Sequence, residues 1–288
     1  MKELNLIDMH THTRYSDGEL TPDELILKAK NEGISIIAIT DHDTLLGTQN
    51  ITISPEKEGI QVINGIEIST KNPIGLMHIL GYDINIYDAK LNEKMQELHN
   101  ISLYSVSAII CQLKKDYDIV FSTEEILEIL NRKSNIGRPD IAKLLIKNGY
   151  VSTVSEAFEK YLLEANKKCG KVQKGLPMDE SIKLIKDAGG IAILAHPITL
   201  KRKKEELDEL VGQLVDYGLD GIEVYHSEHS KRNCEEYLNL ADKYNLLISG
   251  GSDYHGPNTK PDIELGRGKN NIKIKQLTLL EQINSRIN

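Results

Sequence analysis

Ile7-Asp8-Met9-His10-Thr11-His12-Thr13-Arg14-Tyr15-Ser16-Asp17-Gly18 is the stretch from which the rest of the chain is read. The apolar run from Leu4 to Met9 predicts a buried strand. Alternate side chains of a strand share a face, so His10 and His12 point the same way at its end. Two such imidazoles can grip one divalent ion, and Asp17 follows on a Ser-Asp-Gly turn. Other predicted strand ends repeat the theme. Ile34 to Ile39 runs into Thr40-Asp41-His42-Asp43, Gln61 to Ile68 carries Glu67, and Met77 to Tyr82 contains His78. Later, Ile191 to Leu194 leads into Ala195-His196-Pro197, Gly221 to Tyr225 into His226-Ser227-Glu228-His229, and Asn245 to Ser249 into Gly251-Ser252-Asp253-Tyr254-His255.

Helical signals separate most of these strands. Thr21-Pro22-Asp23-Glu24 is a capped helix start. A further helix is expected from Thr44, and others over Asp179 to Ala188, Lys203 to Tyr217 and after Ser230. About seven β/α units predict an α/β protein, a distorted seven-stranded barrel whose C-terminal strand ends share one rim. From Tyr87 to Lys174 the spacing is helical throughout: Leu91 to Lys115, Ser122 to Leu130, Arg138 to Lys147 and Thr153 to Ala165. Between Leu130 and Leu176 ten Lys/Arg stand against four Asp/Glu. The expected organisation is a barrel from 1–86 and 175–288, with 87–174 as a helical insertion over its mouth.

Composition narrows the function. The 288 residues are 40% hydrophobic with two Phe and no Trp, so aliphatic side chains must do most of the packing. A formal charge of −8 argues against a nucleic-acid coat protein. Three bound divalent ions would bring it to about −2, compatible with a phosphate-binding pocket. Cys111, Cys169 and Cys234 are odd in number and far apart, as in a reducing compartment. With no leader-like start and no bilayer-length apolar run, the sequence reads as soluble and cytoplasmic, without a membrane or an obligate protein partner.

Nine residues at or near strand ends are candidate metal ligands: His10, His12, Asp17, His42, Glu67, His78, His196, Asp253 and His255. Only His99 of the nine histidines lies clearly elsewhere. Imidazole and carboxylate without cysteine suit Mn²⁺, Fe²⁺ or Zn²⁺. Nine ligands exceed the need of one ion, and a cluster of two or three needs a bridging carboxylate. A water between such ions is acidic enough to be hydroxide at neutral pH.

At these residues the sequence resembles the polymerase-and-histidinol-phosphatase (PHP) superfamily. Within it, the resemblance is to bacterial phosphoesterases acting on nucleoside 3′,5′-bisphosphates and on short RNA from the 5′ end. Asp8-Met9-His10-Thr11-His12, Ser16-Asp17-Gly18, Thr40-Asp41-His42-Asp43, Gly65-Ile66-Glu67, His78-Ile79-Leu80-Gly81, Leu194-Ala195-His196-Pro197 and Gly251-Ser252-Asp253-Tyr254-His255 carry it. Glu223-Val224-Tyr225 and Leu265-Gly266-Arg267-Gly268 extend it along the chain. The resemblance implies a metal-dependent hydrolase with a trinuclear site, Mn²⁺ first among the candidates. One ion would be held by His10, His12, Glu67 and Asp253, a second by Asp17, His42 and His255. The third would sit on His78 and His196, with Glu67 bridging.

The resemblance is weaker in the insertion. Leu91 to Gln112 has no arginine where similar proteins carry them, and His99 and Ser102 stand near those places. Gly137-Arg138-Pro139-Asp140 replaces a Gly-Arg-Pro-His pattern, and Lys171-Val172-Gln173-Lys174 replaces Tyr-Val-Pro. Arg138 is the expected phosphate clamp. His229 is expected to donate to phosphate or to the leaving group, and His99 to contact substrate. Asp41 and Asp43 are expected to orient His42, and Glu223 to have a partner such as a ligand histidine. The alternatives are a phosphatase for another small ester, such as histidinol phosphate, and a non-catalytic binding module.

Overall fold

The computed structural model describes residues 6–132, 136–169, 175–274 and 277–287. Leu4, the expected start of the first strand, and the Lys171-Val172-Gln173-Lys174 stretch lie outside the described residues. The chain divides into two compact units, Met1–Glu93 with Gly175–Asn288, and Lys94–Lys174.

Strand β1 (Leu6–Asp8) is followed by helix α1 (Pro22–Asn31) and strand β2 (Ile34–Ile39), parallel to β1. A capping box starts α1: Glu24 N–H donates to Thr21 Oγ1 at 3.1 Å, and Thr21 N–H donates to the Glu24 carboxylate at 2.8 Å. Such a cap is worth about 1 kcal/mol. The helix expected after Thr44 is a single turn, α2 (Leu46–Gln49). Ile51 and Ile53 instead pack, partly buried, on the cluster around Leu25 and Ile37. Strand β3 (Gln61–Thr70) is parallel to β2, and β4 (Met77–Tyr82) follows it antiparallel.

That last pairing corrects the expectation of seven β/α units. A parallel return needs a crossover of a dozen residues or more, and the connection 71–76 is half that. A direct turn is all it can make. His78 therefore reaches the rim from the beginning of its strand, not from its end.

Helix α3 (Ala89–Tyr117) leads into the second unit. There follow α4 (Thr123–Leu130), α5 (Arg138–Lys147) and α6 (Val154–Ala157), then a π-helical turn (Phe158–Leu162) running on into α7 (Leu163–Lys168). Leu113, Ile141, Leu145, Ala157 and Leu162 are fully buried in this unit's own core.

The first unit resumes with α8 (Met178–Asp187), then β5 (Ile191–Leu194), antiparallel to β4. Helix α9 (Lys204–Asp216), β6 (Gly221–His226), α10 (Lys231–Tyr244) and β7 (Leu247–Gly251) alternate, with β5, β6 and β7 parallel. A short hairpin of β8 (Arg267–Gly268) and β9 (Ile272–Lys273) precedes α11 (Thr278–Ile287). The seven-stranded sheet has the order β1 to β7. Its two ends meet: Met9 N–H donates to Gly250 O at 3.2 Å, and Thr11 bridges in parallel to Tyr254.

Aliphatic side chains fill the sheet's core, with Ile37, Ile66, Ile79, Leu80 and Ile193 wholly buried. Each contributes about 1.5–3 kcal/mol. Tyr82, also in the core, donates its hydroxyl to Met9 O at 2.7 Å and so ties β4 to the end of β1. Among the described residues no helix is long and apolar enough to cross a membrane.

Candidate metal centre

Two buried carboxylates shape the rim without belonging to the ligand cluster. Asp8 accepts from Ser252 Oγ at 2.6 Å, Ser252 N–H at 2.9 Å, Gly266 N–H at 2.7 Å and His10 N–H at 3.2 Å. It thereby fixes the backbone next to both His10 and Asp253. Burial raises its pKa even against these four donors. Asp41 accepts from Thr13 N–H at 2.8 Å, and from Thr13 Oγ1 and Ser16 Oγ at 2.6 Å each. Its partners are in the turn that presents Asp17, not His42. Asp43 accepts from Ser69 N–H at 2.7 Å and Ser69 Oγ at 2.8 Å. Gly251 lies flush against the first strand, where an added Cβ would meet His10 N at 2.3 Å.

Glu67 is the centre of the cluster. Its Oε2 lies 3.1 Å from His10 Nε2, 3.3 Å from His12 Nε2 and 3.1 Å from His42 Nδ1. Its Oε1 lies 2.7 Å from His78 Nδ1 and 2.8 Å from His196 Nε2. Burial works to raise the Glu67 pKa, but the surrounding imidazoles, His42 foremost, hold it well below the carboxylate range. One carboxylate thus faces two separate groups of histidines, one on each oxygen.

The remaining donors complete these groups. Asp253 Oδ1 is 3.1 Å from His12 Nε2 and 3.6 Å from His10 Nε2. Asp17 approaches His255 Nε2 at 3.2 Å, His12 Nδ1 at 3.6 Å and His42 Nε2 at 3.8 Å. Three backbones at the rim have positive φ: His196 at 22°, Asp43 at 51° and Asp253 at 58°, unusual for residues other than glycine.

Outer partners set which imidazole nitrogen faces inward. His10 Nδ1 lies 3.0 Å from Glu223 Oε1, leaving Nε2 to the cluster. His196 Nδ1 is 2.9 Å from Thr199 Oγ1, and its N–H donates to Glu223 Oε2 at 2.7 Å. The buried Glu223 has its expected histidine partners. Burial raises its pKa, yet His10 and His226 bring it down to about 2. For His10 the balance is reversed. Burial lowers its pKa, and Glu223, Glu67 and Asp253 together lift it well above the usual value. His42 is pushed down to about 3 by burial, against the pull of Glu67.

The residues present fit divalent ions. His12 Nε2 and Asp17 Oδ1 are buried and make no hydrogen bond. Four sets of side chains bring donor atoms within 4.8 Å of one another: His12, Asp17, His42 and His255; His10, His12 and Glu67; His42, Glu67 and His78; and His10, Glu223 and His226. The first three sets fall among the nine predicted ligands. His226, from the fourth, was not among them.

His229 is buried, donates Nδ1–H to Val224 O (2.9 Å) and packs between His226 and Tyr237. Burial, with His226 beside it, pushes its pKa down to about 3. Arg138 and His99 belong to the second unit. Arg138 opens α5, half-buried, with its guanidinium 5.5 Å from the Phe158 ring centroid. His99 is half-buried on α3. Lys260, which no motif or period in the sequence marks, places Nζ 2.5 Å from Asp253 Oδ2. It sits in a Gly-Pro-Asn-Thr loop with no helical or strand period to assign it a direction.

The PHP domain model matches residues 8–257. The chain is 32% identical over 265 residues to the 5′-3′ exoribonuclease Rnm of Salmonella typhimurium, covering 91% of this chain and 88% of that one. It is 29% identical over 252 residues to the 3′,5′-nucleoside bisphosphate phosphatase of Chromobacterium violaceum, covering 87% of each. A solved Bifidobacterium adolescentis structure, of a protein predicted to be a metal-dependent phosphoesterase, superposes with a TM-score of 0.81 at 28% identity. That match covers 97% of this chain and 96% of the other.

Proposed function

The chain belongs to the PHP domain family, and from that premise we propose that this metal-dependent phosphoesterase removes phosphate from nucleoside 3′,5′-bisphosphates or from short RNA at its 5′ end. The observation that carries the reading is Glu67, whose two oxygens are shared between His10, His12 and His42 on one side and His78 and His196 on the other. A carboxylate placed in this way would be available, with both groups of histidines, to hold divalent ions. In the proposed assignment His10, His12, Glu67 and Asp253 hold one ion, Asp17, His42 and His255 a second, and His78 and His196 a third beside Glu67. Divalent ions, Mn²⁺ first among the candidates, would supply Lewis acidity, lowering the pKa of water and neutralising phosphoryl oxygens.

The chain's own groups do the positioning. Glu223 and Thr199 hold His10 and His196 by their Nδ1 atoms, so each presents Nε2 inward without rearrangement. His229 spends its Nδ1 proton on Val224 O, and its Nε2 makes no hydrogen bond. Its proposed part is to accept from a substrate hydroxyl; donating to phosphate would need a second proton that its burial disfavours. Arg138 is proposed to bind a substrate phosphate, because its guanidinium has no carboxylate partner among the described residues.

Phosphate release, with Mn²⁺ added, over a panel of nucleotides, 5′-phosphorylated oligoribonucleotides and phosphorylated metabolites tests this reading. The highest kcat/KM is expected on a nucleoside bisphosphate or a short RNA. A preference for histidinol phosphate would replace the substrate, and no release from any ester would overturn the reading.

A further inference from the structure

We propose that a basic surface on the first unit, formed by Lys71 and by Lys201, Arg202, Lys203 and Lys204, binds the phosphodiester backbone of a single-stranded oligonucleotide whose terminal phosphate is at the metal centre. The proposal rests on the phosphoesterase reading above and assigns that site a second, extended part.

Two loops build the surface, and both leave the rim. The 71–76 loop joins β3 to β4 and ends two residues before His78. The 195–203 segment leaves β5 through His196 and enters α9. They are locked together. Leu76 N–H donates to Thr199 O at 3.1 Å, and Thr199 Oγ1 donates to Leu76 O at 2.9 Å. Gly75, at φ +73, lies so close that a Cβ would meet Thr199 O at 2.3 Å. The same Thr199 hydroxyl lies 2.9 Å from His196 Nδ1, so the surface and a proposed ligand share one hydrogen-bonded support.

Three features separate this surface from an ordinary solvated face. First, its cations are unspent. Lys71, Lys201, Lys203 and Lys204 are exposed, and none forms an ion pair with a described residue. Elsewhere on the same unit Lys183, Lys186 and Lys243 pair with Asp187, Asp220 and Asp208. Second, Lys203 and Lys204 open α9, where the helix dipole disfavours positive charge. Glu205 and Glu206 follow in the same turn, yet neither forms an ion pair with Lys203 or Lys204, and the chain of net charge −8 gathers four consecutive cations here. Third, Arg202 is half-buried and held in one orientation. Its Nη2 donates to Asn72 Oδ1 at 3.1 Å, while its buried Nε has no partner.

The 71–76 loop adds the other half of nucleotide recognition. Ile74 and Leu76 are 51% and 62% exposed, side chains that a base could cover. Cations in this number exceed what one further phosphate needs, which favours an oligonucleotide over a bisphosphate. The preference follows from counterion release, to which each neutralised phosphate of a single strand contributes about 0.7 to the slope of log K against log salt.

The test uses the full chain and a variant carrying Lys201→Gln, Lys203→Gln and Lys204→Gln, which keeps the Arg202–Asn72 contact. Anisotropy with a 5′-phosphorylated pentaribonucleotide, in EDTA and across salt concentrations, reads the surface without turnover. We expect the variant to bind about tenfold or more weakly at low salt, with a slope shallower by about 2, roughly 0.7 for each of the three lost phosphate contacts. With Mn²⁺, its kcat/KM on the pentanucleotide should fall about tenfold further than on an aryl phosphate. Unchanged affinity and slope, or equal losses on the two substrates, overturn the surface. If the parent hydrolyses no phosphate ester while the variant still loses RNA binding, the surface stands and the phosphoesterase reading falls.

Discussion

The rim of the first unit and the helices of the second handle polar side chains in opposite ways. At the rim, Glu67, Asp253 and His12 are buried, and each is held from at least two sides by residues distant in the chain or in a neighbouring loop. Asp8, Asp41 and Glu223 form a further layer that positions the backbone and the imidazoles. In the second unit the buried set is almost wholly apolar, and its charges lie outside in pairs such as Lys160–Glu156 and Lys168–Asp116. Such exposed pairs contribute little. A rim residue cannot change without leaving a buried charge unpaired, whereas a helix face can change freely. That difference agrees with the sequence, where the ligand motifs keep the family pattern and the insertion departs from it.

The comparison would break most directly at the proposed ligands. Asp253→Asn keeps the shape and removes the charge on which His10, His12 and Lys260 converge. Loss of an ion removes several kcal/mol of transition-state stabilisation, on the order of a thousandfold or more in kcat. Metal content and turnover should fall together while the circular dichroism spectrum is kept. Unchanged kcat at limiting metal would remove Asp253 from the ligand set.

Glu223→Gln separates the outer layer from the ligands themselves. The amide can still hydrogen-bond, but it no longer draws a proton onto His10 Nδ1 or favours that tautomer. Loss of such an outer partner costs about 10–100-fold in metal affinity or activity. A metal titration showing parent-like affinity would mean that Glu223 only packs.

These contrasts also explain how much could be read from the sequence. His10, His12, His42 and Glu67 were legible because each stands where an apolar run stops, and strand period 2 fixes their face. The direction of β4 was not read, because apolar alternation is the same in both directions; only the length of the 71–76 connection gives it away. Lys260 is hidden for a different reason: it approaches Asp253 from a loop, which no local pattern encodes, whereas His226 stands at a strand end like the other histidines. Arg138 was singled out by motif, and its packing on Phe158 was invisible because the contact spans two helical segments.

Arg138→Ala tests whether the freely varying unit still reads phosphate. A lost charged hydrogen bond costs about 1.5–3 kcal/mol, roughly tenfold to a hundredfold in kcat/KM. KM for a bisphosphate should rise more than KM for an aryl phosphate, which carries a single phosphate. Equal losses would assign Arg138 to the reacting phosphate. No loss on either substrate would leave it as the cation packed on Phe158.

The smallest expected effect concerns His229 and sharpens the account of the rim as a place where protons are fixed in advance. Burial, with His226 beside it, sets the folded pKa at about 3, below the ordinary histidine value of 6.5. Between those values the unfolded chain binds a proton that the folded one refuses. Stability contributed by this group therefore rises with pH through the window and is fully present above 6.5. One proton corresponds to about 1.4 kcal/mol per pH unit. Denaturant unfolding in EDTA, repeated from pH 4.5 to 6.5, should show this slope reduced by about one proton in His229→Phe, whatever the variant's absolute stability. An identical slope in parent and variant would mean that His229 is protonated in the folded protein. Its Nε2 would then be a donor, and its part in the reaction would change from accepting a substrate hydroxyl to donating to the phosphate.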